Sequence, residues 1–261
     1  MLEPGAAVLI AADVDHAQTH AHTMPKISDA HPGMTIDDGY DVQDALLSLW
    51  EARGRQLIGY KAGLTSRAKM AQMGVDVPSF GMLMRDTCEG EGGMLSTAGL
   101  IHPRVEAEIA FVTSADLAGP NVSSEEILAA TDYVIPAIEI IDSRFEKFKF
   151  DLASVVADNG SSARFVLGGR ARRPVGLDLD AVGVVLEING EPMAFASSGA
   201  VLGHPVNVMQ LLIAWLHERG RILPAGSVVL TGAVTEAFPI QLGDAVCARF
   251  QDMGSISIRI A

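Results

Sequence analysis

From residue 100 onward the chain is a succession of short strand-like runs, HPRVEAEIAFV, VIPAIEII, SARFVLGG, VGVVLEING, GSVVLTG and DAVCARF, punctuated by glycine and proline. Runs of this length, rich in β-branched residues and closed by turn formers, commit a chain to pairing strands. One helical stretch, NVMQLLIAWLHERG, interrupts them and stops at Gly220. Within VVLEINGEPMAFA the pair Asn189-Gly190 separates two strand-like segments, the strongest short-range hairpin signal in the chain.

The first part of the chain reads differently. In residues 36–56, Val42, Ala45, Leu46, Leu49 and Trp50 recur at helical spacing behind acidic residues that suit a helix start. A short strand, LIGYKAG, follows, and then a second helical segment, SRAKMAQMGV, that ends before Pro78. The expected fold is α+β: a small helical N-terminal region over residues 1–75 and a mainly β body over 76–261, built as one integrated domain. Residues 87–99, TCEGEGGMLSTAG, have the composition of a mobile loop and are expected to form a lid or active-site loop.

A length of 261 residues is enough to bury a substantial core without disulfides. No stretch approaches the roughly 18 to 20 uninterrupted apolar residues of a membrane span. The N-terminal apolar run carries Glu3 before it and Asp13 and Asp15 after it, unlike a signal peptide, so a cytoplasmic location is expected. Cys88 and Cys247 are far apart and show no metal or redox spacing. With 19 Lys plus Arg against 32 Asp plus Glu the net charge is −13, which disfavours nucleic acid and anionic membranes as partners. The same field opposes a carboxylate substrate, so a site for one needs local cations or a bound metal.

Alternation in RVEAEIAF sends Val105, Ala107, Ile109 and Phe111 to one face and Arg104, Glu106, Glu108 and Ala110 to the other. Two carboxylates then point the same way, with Cα atoms roughly 7 Å apart. Taken alone, the pair reads more readily as a solvated acidic face. Glu139 alters the balance, because it sits inside the apolar run VIPAIEIID, where a lone charge is costly to bury. A three-carboxylate set suits Mg²⁺ or Mn²⁺ better than Zn²⁺. His16, His20 and His22 form a second donor cluster, but it lies near a terminus with no further ligands, and a solvated helix end is the simpler reading. Lys61, between Gly59 and Gly63, can neutralise a carboxylate, move a proton or simply snorkel from a strand. Asp158, Asn159, Ser161 and Ser162 in VADNGSSARF either bind substrate or cap a turn.

These motifs together resemble the hydratase/decarboxylase branch of the fumarylacetoacetate hydrolase superfamily. The resemblance runs through ISDAHPGMTIDDGYDVQ, GYKAGLTSRAKMAQMGV, HPRVEAEIAF, PAIEIIDSR, VADNGSSARFVLGG, SSGAVLGHPVNVMQLLIAWL and VVLTGAVTEAFPIQLGD. It implies a mixed, mainly β roll, and Glu106, Glu108 and Glu139 as ligands of Mg²⁺ or Mn²⁺. Lys61 and Asp158 are implied as catalytic, and Leu64, Ser161, Ser162, Arg164 and Thr231 as substrate-lining. The branch serves meta-cleavage pathways of aromatic catabolism with two lyase activities. One is decarboxylation of 2-oxo-3-hexenedioate to 2-hydroxypenta-2,4-dienoate and CO₂, and the other is hydration of 2-hydroxypenta-2,4-dienoate. The run SRFEKFKFDL and the following SSARF look more like the decarboxylases. That activity implies a cation for a second carboxylate, for which Lys61 and Arg164 are the candidates. A homo-oligomer is implied too, as is association with a sister hydratase, in which a purely structural role for this chain is a third possibility.

Overall fold

The computed structural model describes residues 2–67, 70–71 and 74–261. Three helices come first: α1 (Ala6–Thr19), α2 (Ile27–Ala30) and α3 (Ile36–Ala52). Thr35 and Asp38 form a reciprocal capping box that starts α3, and Val42, Leu46, Leu47 and Trp50 form its buried stripe. The Trp50 indole donates to Asp15 of α1 at 2.9 Å, which ties the two helices together. The helical segment expected over residues 66–75 falls in part on residues 68–69 and 72–73, outside the described residues.

Strands β1 (Leu57–Gly63), β2 (Ser79–Met84), β3 (Cys88–Glu89), β5 (Arg104–Thr113), β6 (Thr131–Ile141), β7 (Ser162–Leu167), β10 (Val228–Ala233) and β11 (Phe238–Pro239) make an eight-stranded mixed sheet. Its order is β2-β1-β10-β5-β6-β7-β3, with β11 also on β5. Strand β1 pairs with β10 in parallel and with β2 antiparallel, so a cut at residue 75 would divide this sheet. A second sheet, β4 (Met94–Leu95), β13 (Gly254–Ile260), β12 (Ala245–Phe250), β8 (Gly183–Ile188) and β9 (Glu191–Ser197), holds the expected hairpin. Its two turn residues, Asn189 and Gly190, have φ of 56° and 83°, the left-handed pair that a tight hairpin turn requires.

The large sheet curls. Asn159, just before β7, bonds with its side-chain amide to both backbone groups of Met82 on β2, at 2.7 and 3.0 Å. Strand β2, at one end of the order, thereby meets the segment leading into β7 near the other, and the sheet becomes a roll with an inner and an outer face. On the outer face Val105, Ala107, Ile109 and Phe111 join the main core with α3 and the helix Pro205–Glu218. That helix lies in a stretch, Ser198–Glu218, with the length and hydropathy of a membrane span. Its helix proper has 14 residues, about 21 Å at 1.5 Å per residue, short of a roughly 30 Å bilayer core. Val206, Val208, Met209, Leu212, Ile213 and Leu216 bury it in the protein core.

Residues 87–99 are not a free lid. Cys88 and Glu89 pair with β7, Met94 and Leu95 pair with β13, and Leu95 is buried. Glycine-rich as it is, the segment is a crossing tied to both sheets. Both cysteines are free, Cys88 exposed and Cys247 half-buried.

Candidate metal centre

The inner face of the roll can be read from the strand registers. Lys61 aligns with Leu230, Leu230 with Ala110, Glu106 with Glu139, and Glu139 with Phe165. Directly paired residues share a face, so Lys61, Glu106, Glu108 and Glu139 all project into the interior. Below them Leu83, Ala110, Ala137, Phe165, Val228 and Leu230 form a small, separate apolar floor. Polar groups therefore occupy one end of the interior and hydrocarbon the other.

The solvated-face reading of Glu106 and Glu108 does not hold, since Glu106 is 7 % exposed and Glu108 and Glu139 are fully buried. One oxygen from each lies within 4.8 Å of the others, the only such set of three metal-donor groups found among the described residues. At the exposed end of α1 the His16 ring stacks on His20 and meets His22 edge-on, and the three do not form one.

Lys61 reaches across the interior. Its Nζ lies 3.2 Å from Glu139 Oε2 and donates to the Gly160 carbonyl at 3.1 Å, although β10 and β5 separate β1 from β6 in the sheet. Gly232 N–H donates to Glu108 Oε2 at 2.8 Å, while Glu108 Oε1 and Glu139 Oε1 are buried without a hydrogen-bond partner. Burial, reinforced by the neighbouring carboxylates, pushes Glu108 well above the usual range and raises Glu139 as well. Burial opposes the Lys61 charge, yet the three glutamates hold its ammonium above the ordinary value. When fully ionised, the three carboxylates outweigh the one ammonium by two negative charges in a buried space. Orphaned carboxylate oxygens and that residual charge fit a hard divalent cation.

The backbone around Lys61 is shaped to admit it. Asn159, Gly160 and Ser161 have φ of 51°, 62° and 58°, a left-handed run that turns the Gly160 carbonyl toward the ammonium. Gly81, opposite Lys61 on β2, has no room for a side chain, because a Cβ there would lie 2.8 Å from the Asn159 carbonyl oxygen and 3.1 Å from Lys61 Cδ.

The other expected residues divide into two groups. Leu64 follows Gly63 with a left-handed φ of 58°, at the end of the strand that carries Lys61. Thr231 is buried beside Gly232, and its hydroxyl donates to the Ile109 carbonyl at 2.8 Å. Asp158 is also buried, but its carboxylate is engaged by Arg144, which donates to it from both side chain and backbone, and by Ser161. Burial outweighs the pull of Arg144 and raises Asp158 to about 6. Ser162 is engaged through its carbonyl, which accepts from Arg144 at 3.3 Å.

Arg164 does not join the glutamates. Phe165 is the residue paired with Glu139, so alternation turns Arg164 to the opposite face. There it lies 3.5 Å from Glu89 and lines a polar cavity of about 410 Å³ with Arg53, Arg55 and Asp86. Arg144 was not singled out from the sequence. The sole hint was an arginine directly after the apolar strand, in IIDSR.

Residues 60–261 match the model of the fumarylacetoacetate (FAA) hydrolase C-terminal family. The chain is 48 % identical over 250 residues to 4-oxalocrotonate decarboxylase of Pseudomonas sp. (strain CF600), covering 96 % of this chain and 95 % of that protein. It is 39 % identical to 2-hydroxyhexa-2,4-dienoate hydratase of Comamonas testosteroni, with 92 % and 91 % covered. Its structure superposes with a TM-score of 0.98, at 44 % identity and covering 100 % and 99 % of the two chains, on 4-oxalocrotonate decarboxylase from Pseudomonas putida G7 complexed with magnesium and adipate. Three buried glutamates on adjacent strands of a curled sheet and these likenesses agree, and the chain belongs to the fumarylacetoacetate hydrolase family.

Proposed function

We propose that this protein is a divalent-metal-dependent carboxy-lyase that converts 2-oxo-3-hexenedioate to 2-hydroxypenta-2,4-dienoate and CO₂. The observation that carries the reading is the convergence of Glu106, Glu108 and Glu139 on one buried point beside Lys61. Its near-complete overlap with a decarboxylase bound to magnesium and adipate supports it. The three glutamates would hold Mg²⁺. Bound there, the cation would supply positive charge to the 2-oxo end of the substrate, where electron density accumulates as the reaction proceeds.

When the bond to the distal carboxylate breaks, CO₂ leaves and its bonding electrons pass along the conjugated chain toward the 2-oxo oxygen. Addition of one proton gives the neutral dienol. Lys61 is the group to hold or deliver that proton, since its ammonium is buried and aimed by the Gly160 carbonyl and Glu139. The apolar floor of Leu83, Phe165 and Leu230 keeps that end of the interior dry, which strengthens every charge interaction above it.

The likeness to the Comamonas testosteroni hydratase favours a second reading, addition of water to 2-hydroxypenta-2,4-dienoate in the same interior. Purified protein assayed with each substrate, with Mg²⁺ and with excess chelator, separates them by product chromatography. Metal-dependent CO₂ release from 2-oxo-3-hexenedioate is expected. Hydration of the dienoate with no CO₂ from the diacid would reverse the assignment.

A further inference from the structure

A decarboxylase of a six-carbon diacid has to meet a second carboxylate at a distance from the metal end. The proposed function thus raises a question for which the strands of the inner face offer a candidate. Among the described strand residues on that face, the cations are Lys61 and Arg104. Lys61 is already engaged by Glu139 and Gly160, and Arg164 is on the outer face.

Arg104 lies on the same face of β5 as Glu106 and Glu108 and opposite Ile141 of β6, two residues beyond the Glu106 and Glu139 pair. Burial lessens along this row, from Glu108 at 0 % and Glu106 at 7 % to a half-buried Arg104, so Arg104 stands at the rim. Two residues along a strand are separated by about 7 Å. A six-carbon diacid with its 2-oxo end among the glutamates can span that interval.

Arg104 forms no ion pair among the described residues. Its guanidinium instead lies 4.6 Å from the centre of the Phe148 ring. That contact positions the group without neutralising it, and leaves its N–H edge for an anion. His102 lies against the same ring, at 5.1 Å between centroids, and its Nε2 is buried with no hydrogen-bond partner. Phe148 and Lys147 both have left-handed φ, 59° and 56°, so the loop that brings the ring here is held in a costly backbone conformation. An unpaired cation, an orphaned imidazole nitrogen and a strained loop thus meet in one corner of the rim.

We infer that Arg104, steadied by Phe148, is the residue that recognises the distal carboxylate of a dicarboxylic substrate. It selects six-carbon diacids over monocarboxylic 2-oxo acids that reach only the metal end. The inference rests on the proposed function, and binding measurements keep the two apart.

Calorimetric titration of the Mg²⁺-loaded protein with adipate and, separately, with pyruvate provides the test, comparing the wild type with Arg104→Gln and Arg104→Lys. Loss of one charge-assisted pair should weaken adipate by about tenfold or more, leave pyruvate within about twofold, and be partly restored by Arg104→Lys. Unchanged adipate affinity in Arg104→Gln overturns the inference and leaves the decarboxylase reading standing. Equal weakening of both probes also overturns it, since that is what a purely structural pin between Arg104 and Phe148 predicts. A wild-type protein that binds neither probe overturns both.

Discussion

Glu106 and Glu139 stand directly opposite each other across the ladder between β5 and β6, and Glu108 brings a third carboxylate within 4.8 Å of both. Like charges in directly paired positions destabilise a sheet even at its surface. Here they are buried. The fold therefore carries at its centre an electrostatic deficit that Lys61 offsets only in part, and its stability is linked to whatever cation fills the space.

Magnesium should accordingly stabilise the wild-type protein and do little for Glu108→Gln. The glutamine can still accept the hydrogen bond from Gly232 N–H, so the variant removes a buried charge while keeping that contact. Thermal melts with and without Mg²⁺ should show a metal-dependent rise in Tm for the wild type, a higher metal-free Tm for the variant, and almost no metal response in it. A full Mg²⁺ response in Glu108→Gln would remove that residue from the metal site.

Metal affinity should increase with pH. Burial and mutual repulsion raise Glu108 and Glu139, so without metal these groups hold protons at pH values where ordinary carboxylates have lost theirs. A cation must displace those protons, which makes binding weaker as the pH falls. Titration in buffers of different ionisation enthalpy should reveal proton release that accompanies binding and grows as the pH is lowered, and its absence would mean that the glutamates are already ionised.

Replacement of Lys61 by methionine is expected to separate chemistry from metal binding. Turnover should fall by about a hundredfold or more, the scale of a lost general acid, while Mg²⁺ binds at least as tightly because a competing positive charge beside Glu139 is gone. Kinetics and metal titration on the same preparation check this. A loss of metal affinity matching the loss of turnover would reduce Lys61 to a structural cation.

Arg144 is 1 % exposed, and its guanidinium is shared among Asp158 and the carbonyls of Asp142, Asp158 and Ser162. Arg144→Met leaves those acceptors unpaired in the interior and should cost about 3–5 kcal/mol, measurable by urea unfolding. A cost below about 1 kcal/mol would show that water reaches the pair and satisfies it.

The legible parts of this structure were those governed by local periodicity. The alternation in RVEAEIAF placed Glu106 and Glu108 on one face, and the cost of a lone carboxylate in VIPAIEII marked Glu139, both of which β5 and β6 display. Strand β2 was not singled out, because all six residues of SFGMLM are buried and the alternation that identifies a half-buried strand is missing. The pairings of residues 88–89 and 94–95 are too short to leave a periodic trace. The reach of Lys61 to Glu139 was hidden for a different reason: it depends on the curl of the whole sheet, which brings together strands three places apart in its order. Arg164 and Arg104 looked alike as strand arginines, and only the register of β7 against β6 and of β6 against β5 assigns them to opposite faces.

The exposed-edge problem of β2 is solved by side chains. Phe80 N–H donates to the Tyr40 hydroxyl, the Phe80 carbonyl accepts from Gln43, and both backbone groups of Met82 are taken by Asn159. A border sealed in this way has no vacant ladder to offer at those positions, so a neighbouring molecule cannot add a strand to the sheet there. Copies of this protein that associate must do so elsewhere, leaving the closure around the glutamates undisturbed.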